Sequence, residues 1–254
     1  MNDFISSLQL ADQPLPLVLS MLAVAAAYTV FSLVGFGSAL VASGPLALVM
    51  PVSRVIPLLA LLDFAGSSRR GWRARRELAW PELRQLLPGM LLGQGLGVLV
   101  LARLPTALMA LALGLFVMVQ GGRGLLTKAA ARPAEARHAL RYGLFGGVLG
   151  GLFGSGGFVY ASYLERRLAS REGFRATQAV LIALSTGWRI ILCASLGLLD
   201  LRLLVTSIAF VPAMLFGAYL GHHIDLRMSR EALFRLLNGL LVLSGLSLLV
   251  RFAV

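Results

Sequence analysis

The chain has 254 residues, 58% of them hydrophobic and 13% charged, with a mean hydropathy of +0.83. That apolar content exceeds what a soluble core of this size requires and marks an integral membrane protein. The formal charge of +12 does not point to nucleic acid, because the 23 basic residues, with Lys128 the single lysine, sit in short loops between apolar runs.

The N-terminal stretch "MNDFISSLQLADQPLP" is acidic and has no Lys or Arg, so it lacks the positive region of a cleaved signal, and the first apolar segment is expected to stay in the mature protein. Apolar stretches follow at 15–51, 54–68, 84–102, 106–122, 140–164, 174–197, 201–222 and 232–250. The first contains Gly35, Gly37 and Ser38, the second Asp63, and the fifth the glycine-rich run "GGLFGSGGF" from Gly150 to Phe158. Arg189 and the single cysteine, Cys193, lie in the sixth, and His222 and His223 end the seventh. One cysteine excludes an internal disulfide framework and is read as a small buried hydrophobe.

The chain resembles itself. "PGMLLGQGLG" (88–97) and "PAMLFGAYLG" (212–221) agree at proline, methionine, leucine and glycine positions. "GFGSALVAS" (35–43) faces "GSGGFVYAS" (154–162), and Gly66 faces Gly187. The sequence therefore divides into a first membrane repeat over 1–122, a cytoplasmic linker over 123–139 and a second membrane repeat over 140–254. If every stretch spans, basic residues split 13 against 9 between the two sides. If the glycine-broken stretches instead enter and return as hairpins, the split becomes 18 to 4, which the positive-inside rule favours, with the N-terminus periplasmic. Three crossings after each hairpin then invert one half relative to the other. The expected fold is thus all-α, a polytopic transmembrane helical protein of two inverted repeats, each opening with a Gly-broken re-entrant hairpin. Broken backbone at membrane depth survives only where protein covers it or it lines a polar cavity, so the two breaks are expected to meet.

The segments "LVGFGSALVASGPL" and "GGVLGGLFGSGGFVYASYL", within two copies of a membrane half, resemble the sulfite exporter TauE/SafE family of bacterial anion transporters. The resemblance extends over nearly the whole chain and departs from the family pattern at "GFGS" and at Tyr163. It implies movement of a small anion, sulfite or an organosulfonate, across the bacterial inner membrane without a cofactor.

Gly35, Gly37 and Ser38 with Gly154, Ser155, Gly156 and Gly157 form the first candidate substrate site. A helix starting after such a turn offers free N–H groups and a positive dipole end, and glycine lets backbone approach the ligand. The competing reading gives the glycines to helix packing alone. Arg189, apolar sequence on both sides, costs at least ~2.5 kcal/mol at membrane depth and so requires a partner or a wet cavity. Its guanidinium suits an oxyanion, or it pairs with Asp63, the acidic residue inside a predicted span and the candidate for proton coupling or ion pairing. Adjacent His222 and His223 diverge by about 100° on a helix and read as interfacial rather than as metal ligands. Gln94, Gln120, Gln178 and Asn238 read as interhelical hydrogen-bonding residues, the Gly93-x-x-x-Gly97 and Gly217-x-x-x-Gly221 runs as packing faces, and Trp72, Trp80 and Tyr142 as interfacial anchors. No hydrolase triad, P-loop or metal spacing is present, so the sequence describes a carrier and not an enzyme, without metal or cofactor. Its expected partners are a small anion and membrane lipid, with a homodimer left open; the alternative is a non-transporting membrane assembly protein.

Overall fold

The computed structural model describes residues 14–126 and 138–223, with isolated positions 239, 242, 245, 246 and 249. Most of the predicted stretch 232–250, including Asn238, and residues 127–137 of the linker lie outside the described residues. The described elements are all helical: α1 Pro14–Val34, α2 Ser38–Ala47, α3 Val52–Arg73, a 3-10 turn Arg75–Glu77, α4 Trp80–Arg103, α5 Thr106–Leu126, α6 Ala139–Phe153, α7 Gly157–Arg167, α8 Arg171–Ser195 and α9 Leu201–His223. Helices α1, α4, α5, α8 and α9 contain stretches long and apolar enough to cross a membrane. Helices α2 and α7, of 10 and 11 residues, are not. At 1.5 Å per residue each covers only about half of a hydrocarbon core roughly 30 Å thick.

The two continuous stretches at 15–51 and 140–164 are each cut once, at glycines with left-handed backbone. Gly35 and Gly37 have φ of 90° and 98° and separate α1 from α2. Gly154, φ 71°, closes α6 by donating its N–H to the Gly150 carbonyl at 3.0 Å. Side chains disfavour these φ values, which is why the breaks sit at glycine. The two arms before the breaks differ: α1 has 21 residues and α6 has 15. Helix α8 starts at an N-cap, the Ser170 hydroxyl accepting the Gly173 N–H at 3.1 Å, and α3 ends with Arg70 and Arg73 against its negative pole.

Packing exchanges partners between the halves. Helix α4 lies on α6, α9 lies on α1, and α3 lies on α8. Glycine makes the first contact close: Gly89, Gly93 and Gly97 on α4 meet Gly143, Gly147 and Gly151 on α6, backbone against backbone. A Cβ at Gly147 would stand 2.5 Å from the Met90 carbonyl oxygen and 2.8 Å from the Gln94 nitrogen. On α9, Gly217 and Gly221 admit the α1 backbone at Ala25 and Thr29, and the Thr29 hydroxyl donates to the Gly217 carbonyl at 3.1 Å. Both small-residue runs are packing faces, as their spacing suggested. Apolar burial fills the remaining volume, with Tyr28 and Phe31 from α1, Leu46 from α2, Leu58 from α3 and Phe210 from α9 in one cluster. Leu92, Leu96, Ile208 and Phe216 point outward, the surface that lipid requires.

Gly147→Val should lower the thermal unfolding midpoint of the detergent-solubilised chain, by an amount set by about 1–3 kcal/mol of overpacking or more. Gly95→Ala, where nothing lies within 4 Å of the added carbon, should leave the midpoint unchanged or raise it. Equal effects at both positions would contradict the tight α4–α6 contact.

Candidate functional site

The two breaks meet. A Cβ at Gly154 would lie 2.8 Å from the Ala39 Cβ, and one at Gly157 would lie 3.0 Å from the Phe36 Cβ. Between them is a cavity of about 20 Å³, with Gly37, Ser38 and Asp63 from the first half and Gly154, Ser155 and Arg189 from the second among its walls. A space of that size holds roughly one water. Gly157 also lines it, whereas Gly35 lines a different cavity and Gly156 packs against Gly146 and Gly150 of α6.

Arg189 is placed by α8, whose residues Gln178, Ile182, Ser185 and Arg189 recur at helical spacing along one face. The side chain is 2% exposed. Its Nε and Nη1 have no hydrogen-bond partner in the protein. Glycine creates the room it occupies: Nη1 lies 3.3 Å from where a Gly154 Cβ would stand, and Nη2 3.5 Å from a Gly150 Cβ. The hydroxyl of Ser155, the residue after the break, is also buried without a partner. The Tyr160 hydroxyl is buried without a partner as well.

Asp63 is 3% exposed and lines the same cavity from the opposite half. It makes no salt bridge with Arg189. Its Oδ1 instead accepts hydrogen bonds from the Tyr28 hydroxyl and from the Ser38 hydroxyl, each at 2.7 Å. Ser38 opens α2, so the carboxylate ties the first break to α3. The two breaks are therefore chemically unequal: the Ser38 hydrogen is committed to Asp63, while the Ser155 hydroxyl is open. At the second break the Gln178 amide donates to the Gly157 carbonyl at 2.7 Å. Gln94 bridges α4 to α8 through Ser185 at 3.2 Å, the interhelical role expected of it.

The cavity thus holds buried donors from two halves of a helical, strongly apolar chain. A family profile described as Sulfite exporter TauE/SafE matches residues 20–248. The chain belongs to this family. Over 195 residues it is 29% identical to the "Probable inner membrane transporter protein TsaS" of Comamonas testosteroni, an alignment covering 75% of this chain and 81% of that relative. No solved structure matches significantly. Family membership, this likeness and the five span-length helices among the described residues make the chain a multi-pass membrane transporter of the inner membrane.

In this TauE/SafE protein several polar residues in or beside the cavity were not read from the sequence: Tyr160, Ser185 and Thr186 line it, and Tyr28 hydrogen-bonds Asp63 of its wall. Tyr28, Tyr160, Ser185 and Thr186 are buried and polar, and the glycine and charge signals did not reach them. Tyr28 and Tyr160 carried a signal of their own, since a tyrosine inside an apolar span brings a hydroxyl that needs a partner. Ser185 was legible as the residue one helical turn before Arg189. His222 and His223 lie exposed at the end of α9, with the His223 ring nitrogen 2.9 Å from the Tyr219 carbonyl oxygen.

Tyr28→Phe should destabilise the protein by about 1.5–3 kcal/mol, the value of a hydrogen bond to a charged group. Thermal unfolding of Tyr28→Phe, Ser38→Ala and the double variant should show non-additive losses, because both hydroxyls serve one carboxylate oxygen. Strict additivity would mean that the two bonds act independently.

Proposed function

We propose that this TauE/SafE protein exports a small oxyanion, sulfite or an organosulfonate, by alternating access at the cavity where the two glycine breaks meet. One observation carries the reading: Arg189 Nε and Nη1 and the Ser155 hydroxyl are buried together with no acceptor in the protein. Buried polar groups are nearly always partnered, and an oxyanion supplies the acceptors that these donors lack. Guanidinium geometry matches two oxygens of one sulfonate or sulfite group. The sulfur chemistry comes from the family's description, and the cavity asks only for a compact anion. At about 20 Å³ the space does not admit four or more heavy atoms, so loading requires its walls to part.

The architecture of this reading is two inverted repeats, with α1–α2 and α6–α7 as re-entrant hairpins. The reciprocal exchange of partners, α4 on α6 and α9 on α1 with α3 against α8 between them, supports it, since a pseudo-two-fold axis produces that pattern. The short reach of α2 and α7 supports it too. The basic segments 69–84 and 166–175 are then cytoplasmic and the N-terminus periplasmic. Asp63 is the coupling group in this scheme. A proton on its carboxyl competes with the Tyr28 and Ser38 donors and loosens the first break, so the same residue senses protons and holds a moving element. Glycines that serve packing alone, as in a membrane assembly protein, leave the unpartnered donors without a role.

Sulfite should raise the unfolding midpoint of the purified wild type, with acetate giving a smaller shift. Arg189→Ala should weaken sulfite binding roughly 10- to 100-fold, the equivalent of one or two charged hydrogen bonds. Arg189→Lys should recover part of it, as a point charge without the fork. An Arg189→Ala protein that binds sulfite as wild type does would remove the cavity from the transport route. In proteoliposomes, Asp63→Asn should carry sulfite down its own gradient without acceleration by a pH gradient; full retention of that acceleration would assign coupling elsewhere.

A further inference from the structure

A second, larger cavity of about 330 Å³ opens beside the first, walled by the ends of α1, α3 and α9 and the start of α8. Arg70, Arg175, Gln178 and His222 line it, and among the described residues no carboxylate does. Arg70 is held at its base: Nη1 donates to the Phe31 carbonyl at 3.0 Å, and the guanidinium lies 4.0 Å from the centre of the Phe31 ring. Its Nε and Nη2 are buried without a partner. Among the described residues neither Arg70 nor Arg175 forms a salt bridge. Glu172, on the same helix as Arg175, accepts instead from the Ser170 hydroxyl at 3.0 Å.

Two features connect this space to the Arg189 cavity. The Phe31 ring under Arg70 lines the inner cavity, while Ser32 to Gly35, next along the chain, line the outer one. Gln178 lines the outer cavity and anchors Gly157 of the inner one. At the two aligned positions of the other half this free charge has no counterpart. Aligning Gly66 with Gly187 places Arg54 opposite Arg175 and Arg70 opposite Ile191. Arg54 is neutralised by Asp200 at 2.7 Å, and isoleucine cannot hold an anion.

We infer that the Arg70, Arg175 and His222 cavity is a second oxyanion site, a vestibule that captures the anion on the side of the basic loops and hands it past Phe31 to Arg189. This rests on the oxyanion reading of the Arg189 cavity and adds a place and a side for loading. An anion there takes the free Nε and Nη2 of Arg70. A cationic vestibule raises the local anion concentration. Passage inward requires the Phe31 ring to leave the guanidinium, so the vestibule and the gate share one side chain.

Sulfite titrations of the full-length chain in detergent, kept free of oxygen and read by calorimetry, test this. Wild type should bind two sulfites per chain, Arg189→Ala only the weaker one, and Arg175→Ala/His222→Ala only the tighter one. These two positions are chosen because both side chains are exposed and Arg70 also caps α1. In proteoliposomes the double variant should raise KM for sulfite offered on the basic-loop side roughly five- to tenfold and leave KM from the other side unchanged. One site in wild type, retained in the double variant and lost in Arg189→Ala, overturns the vestibule and leaves the inner cavity intact. Loss of the weaker site with full binding in Arg189→Ala upholds the vestibule and overturns the inner cavity, and no binding to any form overturns both. If soluble phosphatidylglycerol displaces the weaker sulfite while the double variant transports with unchanged KM, the site belongs to a lipid headgroup and the inference fails.

Discussion

Burying a guanidinium in an apolar protein costs several kcal/mol unless something of opposite polarity meets it, and the structure around Arg189 is organised by that requirement. No carboxylate bonds it directly: Asp63, on the wall of the same cavity, acts on it only through space and takes its hydrogen bonds from Tyr28 and Ser38. The guanidinium instead occupies the space left by Gly150 and Gly154, where any larger residue would touch its nitrogens. The glycines that break α6 are therefore also the residues that admit the cation. One substitution at Gly154 would strain the backbone and displace the Arg189 guanidinium together.

The same economy of small residues explains how the breaks are covered. Backbone with free N–H and C=O groups is tolerable at membrane depth only under protein. Glycine rows on α4 and α6 bring two helices into backbone contact, and Gly217 and Gly221 do so for α9 and α1. Because each of these contacts joins one half to the other, the first and second breaks are brought to a common cavity. Lipid gives no hydrophobic drive for such association, so close van der Waals contact and hydrogen bonds such as Thr29 to Gly217 must supply it.

The two glycine breaks are alike in backbone and unlike in chemistry. Ser38 and Asp63 lock the first break, while Ser155 and Arg189 leave the second with open donors. The outer charge is equally one-sided, with Arg54 paired to Asp200 and its counterpart Arg175 facing a cavity.

Composition and periodic apolar runs were enough to establish a helical membrane protein, and the glycine runs located both breaks, because left-handed backbone and close approach select one residue type. Arg189 and Asp63 stood out for a similarly local reason, the cost of charge in an apolar span. Their relation did not. Electrostatic complementarity suggested a pair, yet whether two side chains touch depends on how α3 and α8 are rotated against each other, and on a tyrosine from α1 that reached the carboxylate first. The outer cavity was equally invisible, since Arg70, Arg175 and His222 sit on three helices and looked like ordinary interfacial charge. The sequence by itself determined which residues break a helix or resist lipid, properties each residue carries alone. Which of them share a cavity was decided only by the tertiary structure, through glycine contacts that set how closely and at what rotation the helices meet.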